Sequence, residues 1–290
     1  MPAPREPAVA RGLQQRLNRS LRDLGFELYR ADPESLGFGT TQERSLRNAI
    51  LHALARRGYG VRRKIDADVA PEMIETLERV RPFTMTSPRT IVGLCEAVEY
   101  LVRAEVQGDL VECGVWRGGS MMAAALTLVR LGDAGRTLHL FDTFAGMPMP
   151  EEHDVALTGS HAPALDRWQR DQRADHNEWA YAPLETVRDN VLATGYPSDR
   201  VRLVPGPVEE TIPDHAPQTI ALLRLDTDWY ASTRHELEHL YPRLAPGGVL
   251  IIDDYGSWAG ARKAVDEYDP VRRLFLARLD GFARIGIKPA

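Results

Sequence analysis

Two stretches constrain this chain more than any other part of it. Leu222-Leu223-Arg224-Leu225-Asp226-Thr227-Asp228-Trp229-Tyr230 and Gly248-Val249-Leu250-Ile251-Ile252-Asp253-Asp254-Tyr255 are each an apolar run ending in two acidic residues. Such runs read as strands buried on both faces, which belong to parallel sheets whose carboxyl ends form the ligand crevice. If the two strands are neighbours, Asp226, Asp228, Asp253 and Asp254 meet at one rim. Clustered carboxylates repel one another unless some take up protons or a cation joins them, and a divalent metal with oxygen ligands is the cheaper answer.

The surrounding pattern supports a sheet. Strands are predicted at Asp109–Gly114, Thr137–Asp142, Arg200–Pro205, Thr219–Asp226 and Gly248–Asp253, with helices between them. Arg272–Leu279 and Phe282–Lys288 flank the turn-forming Asp280-Gly281 and read as a closing hairpin. Alternating strands and helices imply an α/β fold, a doubly wound, mostly parallel seven-stranded sheet whose terminal strand is antiparallel. Thr143–Ala182 is too long for an ordinary connection and carries His153, His161, Trp168 and Trp179, which suggests a lid over the functional rim. Residues 81–290 therefore form the predicted catalytic domain, with 143–182 as a lid insertion.

Residues 1–80 read as an N-terminal helical extension without a strand. Arg11–Arg22 is rich in Arg, with Leu13, Leu17, Leu21 and Leu24 at helical spacing. A transit peptide or membrane-surface helix has a similar look, but an apolar stripe of this kind ordinarily packs on its own domain or a second subunit, so a homodimer or higher homo-oligomer is expected. A second helix is expected from Gln42 to Arg56, stopped by Gly58-Tyr59-Gly60, and a third before Pro82. The net charge of −5 argues against a nucleic-acid binder. There is no apolar run of membrane-spanning length and no signal-peptide core, and Cys95 and Cys113 do not suggest a disulfide framework, so a cytoplasmic location is expected.

Val111-Glu112-Cys113-Gly114-Val115-Trp116-Arg117-Gly118-Gly119-Ser120 places a glycine-rich turn between the first of these strands and a helix. Glycine there lets the backbone approach a ligand, and the helix start offers unpaired N–H groups. Asp142 ends the next strand, where a carboxylate can accept from ribose hydroxyls. The spacing is not G-x-G-x-x-G, which disfavours a nicotinamide-dependent reductase.

Four ordered motifs, Leu110–Ser120, Leu140–Pro148, Leu223–Thr233 and Gly247–Tyr255, resemble the macrocin O-methyltransferase family. The resemblance implies a Rossmann-like class I methyltransferase that uses S-adenosylmethionine and Mg2+ to methylate a sugar hydroxyl of a glycosylated natural product. By motif position, it implies that Asp226, Asp253 and Asp254 hold the metal and that Asp228 is the general base. Glu112, Gly114, Gly118, Ser120 and Asp142 would sit at the cofactor, helped by Thr84, Met85 and Arg89. Ala145 and Val208 depart from the family pattern, which commonly has an acidic residue and an aromatic there.

Competing readings exist at each point. Asp228 could instead cap the helix that follows it, and His153 is an alternative base. His235-Glu236-Leu237-Glu238-His239 matches the zinc-protease signature H-E-x-x-H, but its helix should cover the sheet and no third ligand follows. A non-catalytic ligand-binding relative of the fold is the remaining alternative, disfavoured by the intact acidic set.

Overall fold

The computed structural model describes residues 26–30, 59–63, 68–158, 164–269, 271 and 273–289. The chain divides into two compact units, Met1–Val69 and Ala70–Ala290. In the first, β1 (Phe26–Arg30) and β2 (Tyr59–Arg63) pair antiparallel, with Phe26 opposite Arg63. This corrects the all-helical expectation for the first eighty residues. Phe26, Leu28 and Tyr29, then Tyr59 and Val61, are aromatic and branched residues suited to a pleat. The helices expected at Arg11–Arg22 and Gln42–Arg56 lie outside the described residues.

In the second unit, helices α1 (Pro71–Val80) and α2 (Pro88–Arg103) precede the sheet. Because the unit begins at Ala70, α1 belongs with the sheet rather than with the preceding extension. The strands are β3 (Asp109–Cys113), β4 (Leu138–Asp142), β5 (Val201–Pro205), β6 (Ile220–Leu225), β7 (Leu244–Ile252), β8 (Ala277–Arg278) and β9 (Arg284–Ile287). They form one seven-stranded sheet in the order β5-β4-β3-β6-β7-β9-β8. Pairings from β5 through β7 are parallel, and β9 runs antiparallel to both of its neighbours. The doubly wound sheet with a reversed terminal strand thus stands as the sequence implied. Among the described residues, no helix is long and apolar enough to cross a membrane.

Strand order reverses between β3 and β6, and a doubly wound sheet binds ligands at that switch point. The glycine turn leads from β3 into α3 (Gly119–Leu131). Hydrogen bonding continues beyond the strand ends: Asp226 N–H donates to Cys113 O and Asp253 N–H to Leu225 O, each at 2.9 Å. That continuation sets the two acidic loops side by side.

The insertion after β4 is folded onto those loops. It contains α4 (Ala164–Asp171) and is followed by α5 (Leu184–Leu192). A short α6 (Val208–Thr211) follows β5, while α7 (Tyr230–Leu240) and α8 (Ala259–Tyr268) follow the acidic loops after β6 and β7. Trp179 of the insertion meets Trp229 and Trp258 at centroid distances of 5.4 and 5.7 Å, and those two meet each other at 5.0 Å. Trp229 Nε1 donates to Pro148 O at 3.0 Å, so the tryptophan beside Asp228 also holds the start of the insertion. The backbones of Ala156 and Trp258 add an antiparallel bridge.

Trp179 is buried, and truncating a buried tryptophan typically costs about 3–5 kcal/mol. Trp179→Ala should therefore lower the melting temperature and expose residues 143–182 to limited proteolysis. Unchanged cleavage in that segment would show that the tryptophan triangle does not hold it.

Candidate functional site

Arg224 is the centre of the rim, although its side chain lies in the middle of an apolar strand. It stands opposite Glu112 in the β3–β6 register and its side chain is only 2% exposed. One terminal nitrogen donates to Glu112 Oε1 at 2.5 Å and Asp226 Oδ2 at 2.7 Å. The other donates to Thr86 Oγ1 at 2.8 Å and Asp253 Oδ1 at 2.7 Å. Burial alone would favour a neutral guanidine, but Asp226, Asp253 and Glu112 hold it charged and push its pKa well above the ordinary value.

One guanidinium cannot balance five carboxylates. Burial raises Glu112 to about 7 in spite of Arg224. Asp226 is pushed well above the usual carboxylate range by burial, with Asp253 and Asp254 adding to it against Arg224. Burial, Asp228 and Asp253 do the same to Asp254. Burial and the charge of Asp226 lift Asp228 to about 7. The array carries more negative charge than it can hold ionised by itself, and a shared dication reverses that balance. One ligand atom from each of Asp226, Asp253 and Asp254 lies within 4.8 Å of the others, so three hard oxygen donors converge, a set that fits Mg2+.

Beside the trio opens a cavity. Gly114, Trp116, Asp142 and Thr143 line it on the glycine-turn side, and Gly206 to Glu209 line the end of β5. Asp226, Thr227, Asp228 and Met85 border it on the acidic side, with Met147, Pro148 and Ala180 coming from the insertion. Gly114 has φ 79°, and a Cβ there would fall 2.0 Å from Asp226 O, so no side chain fits between the two strand ends. Asp142 Oδ2 accepts from Val115 and Trp116 N–H at 2.7 and 3.1 Å and so shapes the turn, while its Oδ1 accepts from Phe144 N–H at 2.7 Å. Trp116, Ala180 and Asp228 all have positive φ, a strained arrangement that marks functional loops.

The expected cofactor residues separate into two groups. Gly114, Asp142 and Met85 line the cavity. Glu112 is buried beneath it on Arg224, while Gly118 starts α3 and packs against Val187 and Val191. Ser120 is buried with its hydroxyl 3.5 Å from that of Thr86, and Thr84 Oγ1 accepts from Thr86 N–H at 3.0 Å. Arg89 is exposed on the first turn of α2 and is not a lining residue.

Asp228 lines the cavity, though not as an extended residue. β6 ends at Leu225, and Asp228 sits at φ 67° with its N–H donating to Asp254 Oδ2 at 3.2 Å. The helix-cap alternative does not apply, because the N-cap of α7 is Trp229 and its Tyr230 N–H is taken by Asp154 Oδ1 at 2.9 Å. Asp154 is a buried residue of the insertion that the sequence did not single out. His153 is exposed, edge-on to Tyr230 at 5.4 Å, and does not line the cavity; His161 lies outside the described residues.

The H-E-x-x-H helix serves packing. Glu236 is wholly buried and accepts from Thr227 Oγ1 at 2.9 Å, while His235 Nε2 lies 2.9 Å from Ile212 O. Among the described residues, the aspartate trio alone has metal-ligand geometry. Arg224 and Thr86 were the residues missed from sequence. A charged residue inside a buried strand, needing partners, was the available signal.

Residues 41–281 match the model of the macrocin-O-methyltransferase (TylF) family, and the chain belongs to that family. It is an S-adenosylmethionine-dependent O-methyltransferase. It is 40% identical over 185 residues to the 8-demethyl-8-(2,3-dimethoxy-alpha-L-rhamnosyl)-tetracenomycin-C 4'-O-methyltransferase of Streptomyces olivaceus, covering 64% of this chain and 67% of that one. With the mycinamicin III 3''-O-methyltransferase of Micromonospora griseorubida it shares 36% identity over 64% of this chain and 69% of the relative. The solved structure of the O-methyltransferase NovP superposes with a TM-score of 0.62 at 31% identity, over 72% of this chain and 83% of that one.

Gly114→Ala should weaken binding of S-adenosylhomocysteine by at least about 10-fold in calorimetry, since the added carbon must separate the two strand ends that frame the cavity. Binding at wild-type strength would remove the glycine turn from the cofactor site.

Proposed function

We propose that the chain is a Mg2+-dependent O-methyltransferase acting on a sugar hydroxyl of a glycosylated natural product. The observation that supports this most is the convergence of Asp226, Asp253 and Asp254 within 4.8 Å, with Asp228 lining the adjoining cavity. One relative is named for the 4' position of a rhamnosyl-tetracenomycin and another for the 3'' position of mycinamicin III, and the first of these agrees with a sugar acceptor. When bound, the cofactor supplies an electrophilic methyl group and the cation lowers the pKa of a hydroxyl that it touches.

The chain's own groups would do the rest. Asp226, Asp253 and Asp254 hold the cation, and Gly114, Asp142 and Met85 border the cofactor. Asp228 takes the proton from the acceptor hydroxyl. Its left-handed backbone and its N–H bond to Asp254 fix it beside the trio at the cavity wall, where Asp254 and Trp258 also partner its carboxyl group. Trp229 and Pro148 join this loop to the insertion, which would act as a lid that excludes water from the reacting oxygen. Residues 143–182 would also contact the rest of the acceptor.

Asp228→Asn should lower kcat by about 10²- to 10⁴-fold, the usual contribution of a general base, while S-adenosylhomocysteine binding stays within about 3-fold. Normal steady-state turnover by this variant would remove Asp228 from the base role. With isotopically labelled cofactor, glycosylated macrolides, aminocoumarins and nucleotide sugars can be screened with and without EDTA. Label transfer to a sugar oxygen that stops with EDTA and returns with Mg2+ is the expected result. Transfer that is indifferent to EDTA would refute the metal requirement.

A further inference from the structure

The geometry points to Arg224 as a positioning residue for the metal-binding aspartates, with Thr86 fixing its orientation; this rests on the metal reading above. Arg224, in β6, joins four separate parts of the second unit: β3 through Glu112, the loop after β6 through Asp226, the loop after β7 through Asp253, and the segment before α2 through Thr86. Each terminal nitrogen serves two acceptors, so the plane of the guanidinium is fixed from both sides. Its Nε is buried and has no hydrogen-bond partner among the described residues, so it is the fork that these acceptors match. One oxygen of Asp226 and one of Asp253 are committed to this fork. Both carboxylates are thereby turned together, each with a second oxygen left for another ligand.

Two other roles would leave a different signature. As a plain counter-charge, Arg224 would be replaceable by lysine, which brings the same charge as a single point. As a competitor for the carboxylates, its loss would tighten metal binding. A planar fork spanning two carboxylates cannot be reproduced by an ammonium. Thr86 separates orientation from charge, because its hydroxyl is neutral and touches the guanidinium rather than any metal-binding oxygen. The same segment packs against the glycine turn, where a Cβ on Gly119 would lie 2.5 Å from Phe83 O. Arg224 is thus oriented from a part of the chain that borders the cofactor cavity through Met85.

The test uses the full chain without acceptor. Mn2+ binding is followed by electron paramagnetic resonance, and S-adenosylhomocysteine binding by calorimetry, in the wild type, Arg224→Lys and Thr86→Val. Removing a group that orients metal ligands costs about 10- to 100-fold in affinity, and Arg224→Lys should fall in that range. Thr86→Val should weaken Mn2+ at least about 3-fold at unchanged net charge, with S-adenosylhomocysteine affinity held within about 3-fold in both variants. Mn2+ binding that is unchanged or tighter in Thr86→Val overturns the proposal, and this variant decides alone if Arg224→Lys does not fold. An equal loss of S-adenosylhomocysteine binding would indicate general collapse of the rim and also overturn it. Absence of Mn2+ binding in the wild type would sink the metal reading itself, and this inference with it.

Discussion

A guanidinium buried among carboxylates governs the carboxyl edge of this sheet. Removing Arg224 from water is expensive, and its attraction to Glu112, Asp226 and Asp253 offsets that cost only because the hydrogen-bond geometry is close. Breaking a buried pair of this kind by deleting one partner typically costs about 3–5 kcal/mol, since the other charge is left stranded. The parallel register makes the pairing possible by placing Glu112 opposite Arg224 and carrying Asp226 and Asp253 one step beyond the strand ends. The rim is therefore charged by design of the topology, yet remains short of positive charge. That shortage is the physical basis for assigning it a dication.

The insertion connects to the same edge by different means. Trp229 follows Asp228 directly, and Trp258 lies four residues beyond Asp254. Trp179 closes a triangle with them, and Asp154 takes the first N–H of α7. Ordering of the insertion and placement of the acidic loops are consequently one packing problem. A substrate that settles against residues 143–182 would press on the loops that carry Asp228 and Asp254. On the proposed reading, acceptor specificity and catalytic geometry would meet at Pro148 and Trp229.

Much of this was legible in the sequence because it was written locally. Apolar runs, the glycine turn at Gly114 and the acidic pairs pointed to the sheet and its carboxylate rim, and the resemblance to the family singled out Asp226, Asp253 and Asp254 within it. Local reading failed where partners are distant. Arg224 looked like one charge in an apolar run, since Glu112, Thr86 and Asp253 are far from it along the chain. The left-handed turn at Asp228 has no local signal either, since its N–H is held by Asp254 from the loop after the neighbouring strand. Short pleated pieces such as Phe26–Arg30 carry too few residues to show a period, so its antiparallel pairing with Tyr59–Arg63 was not expected from the sequence.

The central claim is that a guanidinium and a dication share one array of carboxylates. Anomalous diffraction from crystals soaked in Mn2+ tests it most directly. The account predicts one strong peak bounded by Asp226, Asp253 and Asp254, with Arg224 still in contact with Asp226 and Asp253. A peak elsewhere, or a metal that sits among these aspartates only after displacing Arg224, would contradict it.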